Sequence, residues 1–300
     1  MRIGCLGMTA VDTLIFTSRL PLANEDLCHV ADLKVSLGGK GMVTALALFS
    51  LGCEVSVFTL VGEQAIYQDE VRKLLPRGFD TSNICPWLKR NNRTWIAISS
   101  SQEVYTFVDL GPVNEVPHNL VKSRVEDFVG NVDVLYISTE CPSVLYKAIE
   151  IVKNLGCTVV SNLNAALITD PSDSGNSLLK SLIAVSHTII MNEAESLEVL
   201  SRLGIADWSH ISSGLLREVL VTHADKGGIL SCYPFTEWET YDSWSAAQVR
   251  CAVGAGDTFN GAYVKARFID GASLKKSCEY AAKIAAQKVE IASSALLAQG

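Results

Sequence analysis

Short apolar stretches alternate with longer amphipathic stretches along most of the chain, and this alternation is the main signal of its fold. The short stretches are rich in β-branched residues and predict strands at 54–60, 132–138, 158–161, 188–191 and 218–222. The longer ones have helical spacing, at 42–51, 65–75, 143–154 and 193–203. This β-α-β-α order predicts a mainly parallel sheet covered by helices on both faces, and such sheets bind ligands at the carboxyl ends of their strands.

Two segments interrupt the alternation, at residues 13–35 and 94–110. Both have strand-like alternation without a long helix between the strands, so they are expected to pair as a small β layer outside the main sheet or to form two surface hairpins. A β layer beside a cleft would act as a lid. The last part of the chain predicts helices at 258–270 and 273–291.

Composition and charge narrow the classes of function. A chain of 300 residues with 48% hydrophobic residues can bury a large core. The net charge of −7 and the isoelectric point near 5.3 argue against binding to nucleic acid or to anionic membranes. The nine cysteines lack metal-ligand spacing, and the first residues do not form a signal peptide because Asp12 interrupts the apolar run. We therefore expect a soluble, cytoplasmic protein with free thiols.

The segment from Val253 to Phe259 is the strongest chemical motif. It places Gly254, Ala255 and Gly256 directly before Asp257 and an apolar run that can form a helix. Small residues at a helix N-terminus let backbone N–H groups approach a phosphate, and the adjacent carboxylate can accept a proton from a hydroxyl group. The alternative is a tight turn in which Asp257 caps the helix.

A second glycine-rich loop runs through Gly38, Gly39, Lys40 and Gly41. It lacks the P-loop pattern because no Ser or Thr follows the lysine. Its glycines would admit a small polar ligand, and Lys40 can bind a hydroxyl or a phosphate; a plain turn is the alternative. The spacing of small residues at the amino terminus, from Gly4 to Ala10, does not fit a dinucleotide fingerprint.

Polar residues also follow two of the predicted strands. Asn192 and Glu195 lie where a strand meets a helix, which is typical of a helix cap but also suits acids that organise a magnesium–phosphate complex. The segment from Thr222 to Gly228 follows the next strand and could form an ordinary β-turn or a turn beneath a nucleotide.

Taken together, the chain resembles the PfkB, or ribokinase-like, family of carbohydrate and nucleoside kinases. The landmarks occur in the family's order over nearly the whole length: Asp12, the loop at 38–41, residues 78–82, Asn192 with Glu195, the turn after Thr222, and residues 254–257. The resemblance implies one three-layer α/β/α kinase domain over residues 1–300, with a β lid formed by 13–35 and 94–110. It also implies a homodimer formed through that lid.

The resemblance implies an ATP-dependent phosphotransferase that phosphorylates a hydroxyl of a small sugar or related polyol, with Mg²⁺ as helper. Asp257 would be the general base, and the amides of Gly254, Ala255 and Gly256 would form the anion hole. The remaining roles follow the family's motifs. Asp12, Gly38, Gly39, Lys40 and Glu140 would hold the acceptor; Asn192 and Glu195 would organise magnesium and phosphates; Thr222, Asp225 and Gly227 would border the nucleotide.

The chain departs from the family pattern at two positions. Val43 stands where the family usually has an asparagine that binds sugar hydroxyls, and Cys251 stands where it has an aspartate that belongs to a monovalent-cation site. Potassium activation is therefore not assumed. Lys40 and Arg93 leave a phosphosugar kinase open as an alternative acceptor class. A nucleoside kinase also stays open, because it would share every catalytic feature, and the two departures leave open a binding protein that has lost catalysis.

Overall fold

The computed structural model describes residues 1–21, 27–111, 118–140, 142–153, 156–164, 172–211 and 214–296. The strands are β1 (Ile3–Leu6), β2 (Ala10–Thr17), β3 (Val30–Gly38), β4 (Val55–Gly62), β5 (Ile84–Leu88), β6 (Asn92–Ser99), β7 (Val104–Asp109), β8 (Val134–Ser138), β9 (Thr158–Asn162), β10 (Thr188–Asn192), β11 (Glu218–Thr222), β12 (Gly228–Cys232) and β13 (Glu239–Tyr241). The helices are α1 (Lys40–Ser50), α2 (Ala65–Leu74), α3 (His118–Val129), α4 (Pro142–Val152), α5 (Asp173–Val185), α6 (Glu193–Leu203), α7 (Ala255–Val264) and α8 (Leu274–Val289).

The main sheet contains nine of these strands, in the order β13-β12-β11-β10-β9-β8-β1-β4-β5. The run from β11 to β5 is parallel, and only β12 and β13 at one edge pair in antiparallel fashion. Alternate side chains of the sheet enter opposite layers of the core, because successive residues of a strand point to opposite faces. On β10, for example, Ile189 and Met191 pack in one apolar cluster while Ile190 packs in the other.

The two clusters define the outer layers of helices. Residues of α3, α4, α5 and α6 cover one face of the sheet, and residues of α1, α7 and α8 cover the other. Helices on both faces of a mainly parallel sheet confirm the three-layer α/β/α architecture predicted from the sequence.

A second sheet of four strands, in the order β3-β2-β6-β7, lies outside the three layers; we call it the small sheet. The predicted segments at 13–35 and 94–110 contribute to it, although residues 22–26 lie outside the described residues. Its inner face packs Leu14, Ile96 and Ile98 in a cluster with Cys251. The segments therefore pair with each other and do not form separate hairpins.

The strands and helices predicted from periodicity lie within a few residues of the observed ones, and β11 and α6 match at both ends. The predicted helix at 258–270 begins earlier, at Ala255, and ends in a π-helical turn at Lys265–Ile269. α3 and α5 were not predicted. None of the helices in the described parts of the chain is long and apolar enough to cross a membrane.

Candidate active site

The segment that enters α7, residues 251–256, forms what we call the anion loop. Gly254 caps the helix with φ at 77°, in the left-handed region that favours glycine. A Cβ atom at this position would lie 1.9 Å from the backbone oxygen of Ser294. Within the described part of the chain, the N–H groups of Gly254 and Gly256 have no hydrogen-bond acceptor, whereas the N–H of Ala255 donates to the oxygen of Ala252 at 3.1 Å. The loop thus leaves at least two donors at a helix N-terminus without an acceptor among the described residues.

Asp257 lies in the first turn of α7, and its carboxylate faces the first residue of α1. The Nζ atom of Lys40 is 3.8 Å from Oδ1 of Asp257, and the two side chains are 39% and 13% exposed. The hydroxyl of Thr44 donates to the backbone oxygen of Asp257 at 3.2 Å, which fixes α7 against α1. Asp257 raises the pKa of Lys40, burial opposes this, and Glu140 and Glu195 add smaller contributions in the same direction as Asp257.

Glu140 follows β8 and contacts the start of α1. The backbone N–H of Lys40 donates to Oε2 of Glu140 at 3.0 Å, and the hydroxyl of Ser138 donates to the same oxygen at 3.2 Å. Burial raises the pKa of Glu140 to about 7, with Lys40 opposing the shift and Asp257 adding to it. A carboxylate, an ammonium group and a second carboxylate therefore meet at the carboxyl end of the sheet.

Asp12 belongs to the small sheet and lies against the loop that leads into α1. Its side chain is buried, and a Cβ atom on Gly38 would lie 2.1 Å from its carboxylate, so a larger residue at position 38 would displace that carboxylate. Burial raises the pKa of Asp12, and the neighbouring hydroxyl groups of Ser294 and Thr94 oppose that shift. Gly39 is the N-cap residue of α1, so the five predicted acceptor residues all lie around the start of this helix.

Val43 lies one turn inside α1 and is buried. Its Cγ1 atom is 3.3 Å from the position that a Cβ on Gly254 would take, so the valine packs against the anion loop. The side chain supplies packing to the loop and no hydrogen bond to a ligand.

The predicted nucleotide residues lie at the ends of neighbouring strands. Asn192 ends β10 and pairs in register with Thr222, which ends β11. Asn192 and Glu195 form a capping box: the Asn192 side chain accepts from the N–H of Glu195, and the Glu195 side chain accepts from the N–H of Asn192, both at 2.8 Å. The helix-cap interpretation is therefore observed, and it holds the Glu195 carboxylate at this edge of the sheet.

The turn after Thr222 contains Asp225 in an exposed 3-10 turn at Ala224–Lys226, followed by Gly227. Ala224 has φ at 52°, a left-handed conformation that costs free energy for a residue with a Cβ.

The family landmark at 78–82 does not join the site. Asp80 accepts a hydrogen bond from the N–H of Ser82 at 2.9 Å and pairs with Ser56 near the start of β4. It therefore shapes a turn at the amino ends of the strands, opposite the cleft.

No group of three or more His, Cys, Asp or Glu among the described residues could hold a metal ion by itself. Magnesium commonly uses one or two carboxylates together with waters and substrate phosphates, and the oxygens of Asn192 and Glu195 are ligands of the type it prefers. The donor set at the end of β10 is compatible with that mode of binding.

Lys288 is a residue of the site that was not predicted from the sequence, and the structure buries it beside the anion loop. It lies on α8, and its Nζ atom donates to the backbone oxygen of Cys251 at 3.0 Å and to that of Val253. A signal was present in the sequence, because Ala281, Ile284 and Lys288 follow helical spacing and share the buried face of α8.

The comparisons with known proteins agree with this geometry. The model of the pfkB family of carbohydrate kinases matches residues 2–297. A deoxyribokinase of Salmonella typhi is 25% identical, covering 94% of this chain and 92% of that protein. A ribokinase of Haemophilus influenzae is 25% identical over 78% of this chain and 74% of that protein.

Solved structures show the same fold. A nucleoside kinase of Burkholderia thailandensis in complex with inosine superposes with a TM-score of 0.80 and 15% identity, covering 99% of this chain and 93% of that one. A ribokinase of Giardia lamblia superposes with a TM-score of 0.77 and 19% identity, covering 99% and 98%. At these identities the likeness shows the fold alone.

Proposed function

Because the chain belongs to the pfkB family of carbohydrate kinases, and is thus an ATP-dependent phosphotransferase of the sugar and nucleoside kinase class, we propose that it phosphorylates a hydroxyl group of a small, unphosphorylated sugar or related polyol. The observation that carries the proposal is Asp257 beside Lys40 at the N-terminus of α7, next to the free amides of the anion loop. This arrangement joins a base, a cation and an anion-binding helix end.

In the proposed reaction, Asp257 accepts the proton of the acceptor hydroxyl as its oxygen attacks the γ-phosphoryl group of ATP. The N–H groups of Gly254 and Gly256 donate to the transferred group, with Ala255 joining them if its turn hydrogen bond opens. Lys40 balances the negative charge that Asp257 and the phosphoryl group bring together. Phosphoryl transfer depends mainly on such alignment and charge stabilisation.

Asp12, Gly38, Gly39, Lys40 and Glu140 are proposed to hold the acceptor, because they line one end of the cleft. The small sheet carries Asp12 and would act as a lid that excludes water, which otherwise competes as acceptor.

Arg93 supports an unphosphorylated acceptor over a phosphosugar. Two hydrogen bonds of 2.8 and 2.9 Å tie its guanidinium to both oxygens of Glu70. On β6 its neighbour Thr94 pairs in register with Asp12, so Arg93 lies on the opposite face of the small sheet from the proposed acceptor site. The guanidinium is therefore neutralised and turned away from the cleft.

On the donor side, Asn192, Thr222, Asp225 and Gly227 are proposed to border the nucleotide, and Asn192 with Glu195 to hold magnesium. When bound, the metal would neutralise charge on the phosphates of ATP. The capping box positions the Glu195 carboxylate for that role before any ligand arrives.

The first test is Asp257→Asn, with Asp80→Asn as a control that removes a carboxylate at the other end of the sheet. ADP formation should be measured with ATP, magnesium and a panel of pentoses, deoxypentoses, hexoses, sugar phosphates and nucleosides. Asp257→Asn should lower kcat by at least about a hundredfold with ATP binding largely kept, because a general base contributes about 10²–10⁴ in rate. Near-normal turnover of this variant would remove Asp257 as the base.

The panel also decides the acceptor class. Turnover confined to sugar phosphates or to nucleosides would replace the proposed acceptor, and calorimetric binding of a sugar without ADP formation would indicate a binding protein. Val43 offers no hydrogen bond near the anion loop. An acceptor that lacks a hydroxyl at that point, such as a deoxypentose, is therefore expected among the better substrates.

The outer face of the small sheet supports a homodimer formed through the lid. Adjacent strands place Leu33, Val35, Trp95, Tyr105 and Phe107 on that face, and all five are exposed. Contiguous apolar surface of this kind is typical of an interface. Sedimentation should show a dimer that Phe107→Lys dissociates, and a monomeric wild-type protein at micromolar concentration would exclude this arrangement.

The eight described cysteines are all free thiols, which supports a reducing, cytoplasmic location. Fractionation of cells that make the protein would test it.

A further inference from the structure

Lys288 is a fully buried lysine that has backbone carbonyl groups as its hydrogen-bond acceptors. Its Nζ atom donates to the oxygens of Cys251 and Val253, two residues apart in the anion loop. An ammonium group is rarely buried unless it is paired, because its desolvation is costly. Two carbonyl groups of the anion loop therefore accept hydrogen bonds from the ammonium group of Lys288 on α8.

The orientation of these carbonyl groups controls the amides of the anion hole. The C=O of Val253 and the N–H of Gly254 belong to one planar trans peptide, so they point in opposite directions. When Lys288 draws the oxygen of Val253 towards the interior, the N–H of Gly254 must point away from it, and this N–H has no acceptor within the described residues. The ammonium group of Lys288 thereby orients the N–H of Gly254 so that it is available to donate to a ligand.

The charge of Lys288 also faces the catalytic end of the cleft. Burial lowers its pKa to about 8, while Cys251, Asp257 and Asp12 act in the opposite direction. These three groups come from the anion loop, from α7 and from β2. A positive charge behind the amides adds to the partial charge of the helix N-terminus, where the transferred phosphoryl group is proposed to lie.

A bound monovalent cation does not fit this loop. The carbonyl oxygens that a cation would need already accept from an ammonium group, and a second positive charge beside it would be repelled. The carboxylate expected from the family pattern is absent, because residue 251 is a cysteine. The Cys251 side chain is buried in an apolar cluster with Leu14, Ile96 and Ile98. The chain has thus replaced an anionic ligand by a thiol and supplied its own cation.

We propose that the ammonium group of Lys288 is a built-in cation that holds the anion loop in its donor-presenting conformation, so that phosphoryl transfer needs no bound monovalent cation. Lys288 is a positioning residue that acts through the peptide of Val253 and Gly254. The proposal rests on the proposed transfer at Asp257.

Three variants on α8 test this role. Lys288→Ala removes the ammonium and leaves space for a small cation, Lys288→Met removes it and fills the space, and Lys283→Ala changes an exposed lysine on the same helix. In choline chloride, kcat should fall by about a hundredfold in both Lys288 variants, as for the loss of one oxyanion donor, and stay unchanged in Lys283→Ala. Potassium, ammonium or methylammonium should restore Lys288→Ala by about tenfold and leave Lys288→Met unrescued.

Two measurements separate positioning from a merely structural role. First, potassium should raise the Tm of Lys288→Ala in a saturable way and leave the Tm of the wild type unchanged. Second, kcat/KM of the wild type should fall as pH rises through about 8, because the ammonium loses its proton. Potassium-rescued Lys288→Ala should lack this fall, since potassium does not titrate.

Wild-type turnover that drops more than about tenfold when choline replaces potassium would overturn the proposal, and this measurement needs no variant to fold. Near-normal kcat in Lys288→Ala, or a loss that no cation restores, would also overturn it. Absence of wild-type turnover on every acceptor would instead refute the proposed function. In that case the effect of potassium on the Tm of Lys288→Ala still decides the role of Lys288.

Discussion

Replacing Gly254 by alanine should destabilise the protein far more than the same change two residues later, at Gly256. A left-handed backbone costs an L-residue about 1–2 kcal/mol, and the new Cβ would lie 1.9 Å from the oxygen of Ser294. Overpacking of this kind costs a further ~1–3 kcal/mol. Alanine also restricts the unfolded chain, which offsets about 0.4–1 kcal/mol of the cost. These ranges sum to a loss of about 1–5 kcal/mol in the free energy of unfolding.

Gly256→Ala is the matched control, because a Cβ there meets nothing within 4 Å. Gly256 lies in the first turn of α7, where alanine should be neutral or slightly stabilising. Its methyl group would nevertheless stand at the open side of the anion loop and should lower kcat by about tenfold or more. Urea unfolding and steady-state kinetics on both variants would check this. Equal stabilities of the two variants would refute the reasoning about Ser294 and the left-handed backbone.

Two further predictions concern buried carboxylates. The pKa of Glu140 is raised to about 7, mainly by burial, so its contact with the backbone of Lys40 weakens as pH falls through 7. The kcat/KM of the wild type should therefore decline below pH 7, and the decline should be absent from the pH profile of Glu140→Gln; a persistent decline would exclude Glu140 as its source. Glu218 is buried and accepts from Thr188, Tyr263 and Arg267. Glu218→Ala should lower the free energy of unfolding by about 3–5 kcal/mol, because it leaves these donors without their carboxylate, whereas Asp109→Ala, at an exposed pair with Arg90, should change it little. Similar urea midpoints for these two variants would contradict the prediction.

Much of the fold follows from local pattern. β11 and α6 were predicted at both ends because β-branched residues and an Asn–Glu capping box mark them in the sequence. α5 was missed because its first turn contains Gly175 and Asn176, which are weak helix formers. Burial of its leucines and the cap from Ser172 stabilise this helix, and these contacts depend on the tertiary structure.

The site was predictable where family motifs and strand ends mark it, and less so where distant segments meet. Spacing alone does not bring Lys40 within 3.8 Å of Asp257, since they are 217 positions apart in the sequence (257 − 40). Lys288 was missed because an isolated lysine in a helix is normally solvated. Only its position on the apolar face of α8 distinguished it from other lysines. The role of that position depends on the contact of Lys288 with the anion loop, which the sequence does not show.

Successive residues of β2 lie on opposite faces of the small sheet, and this links acceptor binding to self-association of the protein. Asp12 lies on the inner face of the small sheet against Gly38, and Thr13 lies on the outer face between Val35 and Trp95. One backbone therefore carries both the proposed acceptor contact and the proposed contact between copies. If ordering this strand favours both events, they share a coupling free energy, and the coupling is reciprocal. Acceptor should then tighten self-association by the same factor by which self-association tightens acceptor binding.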